Sequence, residues 1–369
     1  MPFKVLVVED STPVRERLAR LLAKISSIEV TGLMKNKQGS VPEPRISFPA
    51  RVLAGAILAM FVSGCDRPPQ SELRLAINPW PGSEFLYLAQ QKGFLAAEKL
   101  NVRLVEYPSL SDCRVAFEDG QVDAMTWSLI EVLQARENSR RLPQVAVATD
   151  YSNGADVIFA RSGFATLSAL KGHRVGLELG SLGDFLLGRA LELQGMKVSD
   201  VELVACTPEN VEEAFAHGEI DAAVTYPPTS VHLEAGGGMR RLFSSADIPG
   251  EVVDVVAVDA SVLRRDPELP AGLNRALQRA QEYARAHPQE AYAIMGTREG
   301  ISAAEFEQAL KGIQLVDVAG QKSFFGPKGS LLRSLADVDR TLRSTGQLHA
   351  PQVLEDLMPA PPVSGGKGN

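Results

Sequence analysis

Residues 73–106 read LRLAINPWPGSEFLYLAQQKGFLAAEKLNVRLVE, and they contain the pattern that repeats along most of the chain. LRLAIN is short and apolar, as buried strands are, and VRLVEYP, residues 102–108, has the same character. Between them, FLYLAQQKGFLAAEKL has helical periodicity that we expect to be interrupted near Gly93. A strand, a helix and a strand in this order predict a parallel pair joined by a crossover helix.

The same alternation continues in two runs. The first includes VDAMTW, LIEVLQAREN and QVAVATDYS, and the second includes HRVGLEL, SLGDFLLGRALELQG, VELVACT, PENVEEAFAHG and IDAAVTY. The runs join near residues 157–161 and again near 252–258, after which the chain is mostly helical. The prediction is an α/β fold with parallel or mixed sheets in two lobes joined by a hinge. Lobe one would comprise residues 72–157 and 258–350, and lobe two residues 161–252.

Composition and charge exclude several classes of protein. The 369 residues are 45% hydrophobic and 22% charged, with a net charge of −7, and residues 65–369 hold 40 acidic against 29 basic side chains. This acidic balance argues against a nucleic-acid partner, which requires a basic face. The five histidines and three cysteines lack metal-ligand spacing, so we expect no metal and no cofactor. Cys113 and Cys206 are expected to be two lone thiols and not a disulfide.

The first 33 residues have a different character from the main unit. KVLVVED ends in the acidic pair Glu9 and Asp10, and the amphipathic RERLARLLAK and then IEVTG follow it. This order resembles the start of a response-regulator receiver domain, in which the matching acidic pair helps to hold magnesium for phosphoryl transfer. The phosphate-accepting Asp has no counterpart, because the sequence changes character at Met34. We therefore expect a truncated, inert receiver-like fragment, with a phosphorelay role as the alternative.

Residues 34–65 have the parts of an export signal. Met34 is followed by four basic side chains, a short apolar run over residues 52–62 and the small residues of VSGC. The last four residues look like a bacterial lipobox, which predicts lipid attachment at Cys65, and Asp66 resembles the residue that keeps some lipoproteins at the inner membrane. A short buried helix is the alternative. Our hypothesis is that the functional product begins at Met34, matures at Cys65 and is anchored on the periplasmic side of the inner membrane.

Ordered sequence blocks in the large unit resemble one family of proteins. INPWPGSEFLYLAQQKGF, AFEDGQVDA, DYSNGADVIFARSG, LKGHRVGLELGSLGDFLLGRAL and FAHGEIDAAVTYPP resemble solute-binding proteins of ABC importers of the nitrate, sulfonate and taurine type. The resemblance implies a periplasmic-binding-protein fold over residues 72–360, after a linker at 66–71 and before a disordered tail at 361–369. It also implies a monomer without enzymatic activity. A small-molecule ligand and the permease and ATPase subunits of an importer would be its partners.

Candidate ligand-binding residues lie in loops after the predicted strands. In open parallel sheets, ligands bind in the crevice outside the carboxyl ends of the strands. Leu182 begins the helix that follows one of these loops. The predicted site comprises Asn78, Trp80, Pro81, Gly82, Asp112, Thr126, Trp127, Ser128, Asp150, Asn153, Asp156, Glu178, Gly180, Ser181 and Tyr226.

The sequence leaves the charge of the ligand open. Gly180 and Ser181 precede a helix, and free N–H groups at a helix start suit an anion such as a sulfonate, nitrate or carboxylate. The loops nevertheless carry acidic and not basic side chains, and Trp80 and Trp127 are available for contact with a cation, so an amine-bearing, zwitterionic or neutral polar ligand, including an amine or a pyrimidine, fits equally well. Each of these residues also has a purely structural interpretation: the tryptophans as core aromatics, Asp150 and Asp156 as turn formers, and Glu178 as a solvated strand end.

Enzymatic interpretations have little support in the sequence. LGSLG departs from the Gly-x-Ser-x-Gly nucleophile motif at Leu179, and no histidine suggests a triad. The two-lobe fold also occurs in a pyrimidine-forming enzyme family with a cysteine-rich signature, which this sequence lacks. A ligand-sensing module that feeds a signalling partner stays open as an alternative to transport.

Overall fold

The computed structural model describes residues 3–8, 28–34, 72–325 and 329–358. The chain divides into two units, Met1–Cys65 and Asp66–Asn369, which are treated separately below. In the first unit, strand β1 (Phe3–Val8) pairs in parallel with strand β2 (Ile28–Met34). Several predictions fall outside the described residues: the acidic pair Glu9 and Asp10, the apolar signal run, Cys65, the linker at 66–71 and the tail at 361–369.

The second unit contains a six-stranded and a five-stranded sheet. The strands in chain order are β3 (Leu73–Ile77), β4 (Val102–Glu106), β5 (Ala124–Ser128), β6 (Pro143–Ser152), β7 (Val157–Arg161), β8 (Arg174–Leu177), β9 (Glu202–Ala205), β10 (Ala222–Thr225), β11 (Met239–Ser244), β12 (Val253–Asp259) and β13 (Ile313–Leu315). The six-stranded sheet has the order β13-β6-β12-β5-β3-β4, and the five-stranded sheet has the order β11-β7-β10-β8-β9.

Both sheets are mixed, which follows from the way the chain passes between them. Strand β3 is parallel to β4 and β5, and β8 is parallel to β9 and β10, as crossover helices require. The chain leaves the six-stranded sheet after β6 and returns to it in β12, and these strands pair antiparallel with each other. The predicted two-lobed α/β fold is confirmed, and the strands β11 and β13 at the sheet edges were not foreseen.

Helices follow most of the strands. In chain order they are α1 (Glu84–Gln91), α2 (Phe94–Ala97), α3 (Leu110–Glu118), α4 (Leu129–Asn138), α5 (Leu182–Leu193), α6 (Val211–Ala216), α7 (Thr229–Gly236), α8 (Ala260–Arg265), α9 (Leu269–Ala286), α10 (Pro288–Glu299), α11 (Ala303–Leu310), α12 (Val318–Phe325) and α13 (Leu331–Ser344). The interruption expected near Gly93 is present between α1 and α2. Gly93 has a φ of 70°, a left-handed conformation that glycine adopts without steric cost.

Apolar side chains cover both faces of the six-stranded sheet. In β12, Val253, Val255 and Ala257 belong to one core, and Val256 and Val258 belong to the core on the opposite face. This alternation follows from the two-residue period of a strand. One core extends from the six-stranded to the five-stranded sheet, and helix α13 packs against both α4 and α5 within it. The C-terminal helix therefore links elements that follow different sheets.

One further sequence prediction has an outcome in the second unit. Cys113 and Cys206 are free and buried, which confirms the prediction of two lone thiols. A search of the described residues for a helix that could cross a membrane, by length and apolar character, finds none.

Candidate functional site

A cavity lies where the two sheets face each other. The room that it offers the centre of a water-sized sphere is about 10 Å³, enough for about one water molecule, and its walls come from the six-stranded sheet, from residues that follow strands of the five-stranded sheet and from the loop that joins the sheets. Clefts of this kind between two lobes are the usual place for a small ligand. The lining residues are Asn78, Trp80, Ser83, Leu110, Thr126, Trp127, Asp156, Leu182, Tyr226 and Asp254.

Trp80 is fixed against Asp150 in the loop after β3. The Trp80 indole Nε1 donates a hydrogen bond of 3.0 Å to Oδ1 of Asp150, whose side chain is fully buried. Gly82 packs directly on the same carboxylate, and a Cβ atom at this position would overlap Asp150. Tyr226, which follows β10, contacts the Trp80 ring edge-on at 6.0 Å between ring centroids. The loop of one sheet and the strand end of the other are therefore joined by aromatic packing.

Three buried carboxyl groups lie at or just behind the cavity wall. Asp156 and Asp254 line the cavity, and Asp150 is the pairing partner of Asp254 across β6 and β12. Burial raises the pKa of Asp156 to about 7 and that of Asp150 to about 6, because water no longer stabilises the charged form. The pKa of Asp254 is raised further above its usual value, by burial and then by the charges of Asp150 and Asp156. Burial therefore disfavours the charged form of both members of the Asp150–Asp254 pair.

Several polar atoms at the cavity have no hydrogen-bond partner in the protein. They include the indole Nε1 of Trp127, the hydroxyl of Tyr226, Oδ1 of Asn78 and one carboxyl oxygen each of Asp156 and Asp254. Buried polar groups are nearly always paired with protein or water. Their concentration around one cavity marks it as a place where a polar molecule can supply the partners.

Glu131 connects the two halves of the unit next to the cavity. It is fully buried on α4, and its Oε1 accepts hydrogen bonds from the Ser181 hydroxyl at 2.7 Å and from the Leu182 N–H at 2.8 Å. Its other oxygen accepts from the Ser128 hydroxyl at 2.5 Å. A carboxylate at the start of α5 is favourable because that helix end carries unpaired N–H groups and partial positive charge.

This contact corrects the prediction of a free anion site at Gly180 and Ser181. The N–H of Gly180 donates to Asp184 at 2.5 Å, and the Ser181 hydroxyl and the following N–H are used by Glu131. The protein's own carboxylates occupy the donors that an external anion was expected to use. The reason lies in the packing of α4 against α5, which sequence spacing does not reveal.

Glu178 makes a corresponding contact in the opposite direction. It follows β8 of the five-stranded sheet, and its Oε1 accepts a 2.7 Å hydrogen bond from the N–H of Ser111 in the first turn of α3. The side chain is buried, and burial raises its pKa above the usual value. The alternative of a solvated strand end for Glu178 is therefore wrong. Each half thus supplies a buried carboxylate to a helix start of the other.

The structure divides the predicted site residues into three groups. Asn78, Trp80, Thr126, Trp127, Asp156 and Tyr226 line the cavity, and Pro81, Gly82 and Asp150 are buried behind the Trp80 loop. Ser128, Glu178 and Ser181 take part in the hydrogen bonds of Glu131 and Glu178 described above, and the carbonyl of Gly180 accepts a hydrogen bond of 3.5 Å from Arg114 of α3. Asp112 and Asn153 are exposed and outside the lining, because Asp112 accepts a hydrogen bond from Ser109 at the solvent side of α3 and Asn153 donates its N–H to Gly312.

The purely structural alternatives for the aspartates also have an outcome. Asp150 is in β6 and not in a turn, and Asp156 is buried at the cavity wall immediately before β7. Sequence reasoning missed Ser83, Leu110, Glu131 and Asp254. A signal existed for two of them. Asp254 interrupts the apolar run of EVVDVVAVD, and Glu131 completes the helix-start pattern Ser-x-x-Glu with Ser128.

A family model described as NMT1/THI5 like matches residues 80–291 of the chain. Among curated proteins, one described only as a binding protein, from Brucella abortus, is 29% identical over 168 residues, 45% of this chain and 53% of that protein. An aliphatic sulfonates-binding protein of Escherichia coli is 27% identical over 200 residues, 53% of this chain and 62% of that protein. The chain spans about half the length of the curated binding proteins it matches first. A 4-amino-5-hydroxymethyl-2-methylpyrimidine phosphate synthase of Aspergillus parasiticus is 26% identical over 238 residues, 58% of this chain and 68% of that protein.

Solved structures share the fold over most of the chain. The alkanesulfonate-binding protein of Xanthomonas axonopodis pv. citri superposes with a TM-score of 0.68 at 18% identity, covering 79% of this chain and 99% of that protein. The periplasmic aliphatic sulphonate binding protein of Escherichia coli gives a TM-score of 0.66 at 19% identity, covering 78% of this chain and 97% of that protein. At these identities the likeness establishes a common fold.

Proposed function

This chain belongs to the NMT1/THI5-like family, and we propose that it is a solute-binding protein that captures a small polar molecule between its two sheets. The predicted resemblance to binding proteins of the sulfonate type is confirmed at the level of family and fold. The observation that carries the proposal is the cavity itself. Its lining combines Thr126 and Asp254 from the six-stranded sheet with Leu182 and Tyr226 from elements of the five-stranded sheet.

A ligand that touches both halves favours their approach. In two-state terms, contacts that exist only in the closed form shift the equilibrium toward it by their differential free energy. Two chain segments, residues 153–156 and 245–252, connect the sheets and are the natural hinge. The contacts of Glu131 and Glu178 would break on opening and form again on closure, so they set how much binding energy the closed form requires.

The cellular role that fits this ligand-dependent closure is delivery of the solute to an importer. The closed form would dock on the permease subunits of an ABC importer, whose ATPase subunits supply the energy, because the sequence contains no phosphate-binding Gly-x-x-x-x-Gly-Lys-Ser/Thr loop. The proposed location is outside the cytoplasm, and the proposed lobes keep their predicted bounds, residues 72–157 with 258–350 and residues 161–252. Ligand sensing uses the same closure, and growth on the solute as sole nutrient separates transport from sensing.

Attachment to the membrane through Cys65 is a separate part of the proposal. Residues 34–65 supply the signal, and residues 1–33 would be absent from the mature protein. Mass spectrometry of the N-terminal peptide of the native protein tests this. A diacylated peptide that begins at Cys65 supports it, and a peptide that spans Glu9 through Cys65 contradicts it.

Intrinsic fluorescence offers a direct test of solute binding. The chain has two tryptophans, Trp80 and Trp127, and both line the cavity. We expect a bound solute to change the emission of the full-length protein in a saturable way and to raise its thermal midpoint. The solute should be recovered chemically unchanged, since consumption of it would indicate an enzyme. If a solute raises the midpoint but leaves the emission unaffected, it binds elsewhere and the cavity assignment is wrong.

A further inference from the structure

The charge of the cavity specifies the chemistry of its ligand. Asp156 and Asp254 belong to the lining, Asp150 lies directly behind Trp80, and the ten lining residues include no lysine, arginine or histidine. Glu131 and Glu178 add two further buried carboxyl groups in the contacts beside the cavity. An uncompensated buried charge is costly, so a group of acidic side chains without a basic partner is stabilised most by a cation.

Hydrogen-bonding capacity narrows the kind of cation. One oxygen of Asp156 and one of Asp254 have no partner within the protein, and Oδ1 of Asn78 is also unpaired. These three atoms are acceptors and require N–H or O–H donors. Quaternary ammonium groups carry no such donor, whereas a protonated amine carries up to three. The acceptors therefore favour a nitrogen that bears hydrogen.

Aromatic side chains complete the surroundings of a cationic group. Trp80, Trp127 and Tyr226 all line the cavity, and aromatic faces attract cations by roughly 0.5–2 kcal/mol, depending on desolvation. A metal ion does not suit the site equally well. Within the described part of the chain, no group of three or more His, Cys, Asp or Glu side chains has the arrangement of a metal centre.

We propose that the ligand is a small organic molecule with a protonated amine, held by Asp156 and Asp254 against the aromatic wall. This inference rests on the proposed solute-binding function and specifies its substrate class. An anionic ligand in the cavity would face acidic side chains without a basic side chain to balance its charge. The start of α5, where the sequence predicted an anion site, is already used by Glu131. Asp150 accepts the hydrogen bond of the Trp80 indole and lies beside Asp254 across β6 and β12, so it acts on the ligand through these two residues.

Matched panels of compounds test the proposal on the full-length protein. Each carbon skeleton is supplied as the primary amine, the trimethylammonium analogue and the sulfonate, and thermal midpoints and tryptophan emission are recorded. We expect stabilisation by one or more primary amines, weaker stabilisation by the trimethylammonium forms and none by the sulfonates. Stabilisation by a sulfonate alone overturns the amine assignment and leaves solute binding intact. A protein that responds to no compound in any panel contradicts both proposals.

One variant and its control then test whether the amine binds in the cavity. Calorimetric titration of the best amine should show that Asp156→Asn weakens binding on the order of thirtyfold or more, because one partner of a buried charge pair is lost. Asp119→Asn is the matched control, since Asp119 is exposed at the end of α3 and away from the cavity. Equal affinities of the wild type and Asp156→Asn, with both proteins folded by circular dichroism, would overturn the proposal.

Discussion

Two sets of buried carboxyl groups occupy neighbouring parts of this molecule and differ in their partners. Glu131 and Glu178 accept hydrogen bonds from backbone N–H groups of the opposite half, at 2.8 and 2.7 Å. Asp156 and Asp254 each keep one oxygen without a partner in the protein. The difference teaches how to separate roles among buried acids. Carboxyl groups that accept a backbone N–H of the opposite half join the two halves, although Oε2 of Glu178 has no partner in the protein, whereas Asp156 and Asp254 line the cavity and are available to a ligand.

The largest effect should come from removing a satisfied carboxylate. Glu131→Ala leaves the Leu182 N–H and the Ser181 hydroxyl buried without an acceptor, and each lost partner costs about 1–3 kcal/mol. We expect the free energy of unfolding in urea to fall by about 3 kcal/mol in total. Glu131→Gln keeps an acceptor oxygen and should lose less.

The matched control for this variant is Glu282→Ala, on the exposed side of α9. A surface substitution of this kind changes the free energy of unfolding by about 0.5 kcal/mol or less. If Glu131→Ala and Glu282→Ala lose similar amounts of unfolding free energy, the hydrogen bonds of Glu131 do not hold the two halves together.

A smaller effect is expected from a substitution that crowds the buried carboxylate of Asp150 behind the cavity. The Cβ atom of Gly82→Ala would overlap the Asp150 carboxylate. Either the hydrogen bond from Trp80 to Asp150 would break, or strand β6, which carries Asp150, would have to move. Overpacking of this kind costs about 2 kcal/mol. We expect lower stability in urea together with a changed tryptophan emission. Gly163→Ala has open space and a permissive backbone, so it should leave both quantities unaltered.

Asp156, which lines the cavity, should lower the stability of the ligand-free protein as pH rises. Burial raises the pKa of Asp156 to about 7, so the folded state binds its proton more tightly than the unfolded state does. This contribution to stability is fully present below the unfolded pKa, about 3.9, and is lost as pH rises through about 7. Asp156→Asn should lack this part of the decline and be more stable than the wild type at pH 8, by about 1.5 kcal/mol.

Thermal and urea unfolding at pH 5 and pH 8 check this prediction, with Asp119→Asn as the control of equal charge change. A wild type and an Asp156→Asn variant with the same pH dependence would show that the pKa of Asp156 in the folded protein is close to its value in the unfolded chain, and would contradict the inference that burial raises it.

The last prediction concerns the pH dependence of amine binding. A cationic amine binds the deprotonated carboxylates, so its affinity should fall by up to about tenfold per pH unit below pH 7 and level off above it. Titration calorimetry across pH 5–8 measures this, and Asp156→Asn should flatten the profile. An affinity that increases toward low pH would contradict binding of a cation. The acidic groups around the cavity whose pKa burial raises are Asp150, Asp156, Asp254 and Glu178.

Strand direction explains which cavity residues the sequence predicted and which it missed. Six predicted residues line the cavity because they lie in the last residues of strands or in the loops beyond the carboxyl ends of strands, as the rule for parallel sheets requires. Asp254 was missed because it lies at the beginning of β12. That strand runs antiparallel to β5, and Asp254 pairs with Ser128 at the end of β5. The start of an antiparallel strand thus lies at the same edge as the ends of its neighbours.

The sequence by itself determined the alternating elements, the two lobes, the helix break at Gly93 and the loops that carry the cavity residues. These features depend on local periodicity and backbone preference, which are written into neighbouring residues. Only the tertiary structure decided which acidic side chains have partners and which face the cavity. The pairing of Glu131 with α5 and of Asp254 with Asp150 joins residues 51 and 104 positions apart in the chain. Burial and electrostatic environment depend on such distant neighbours, so no local pattern can specify them.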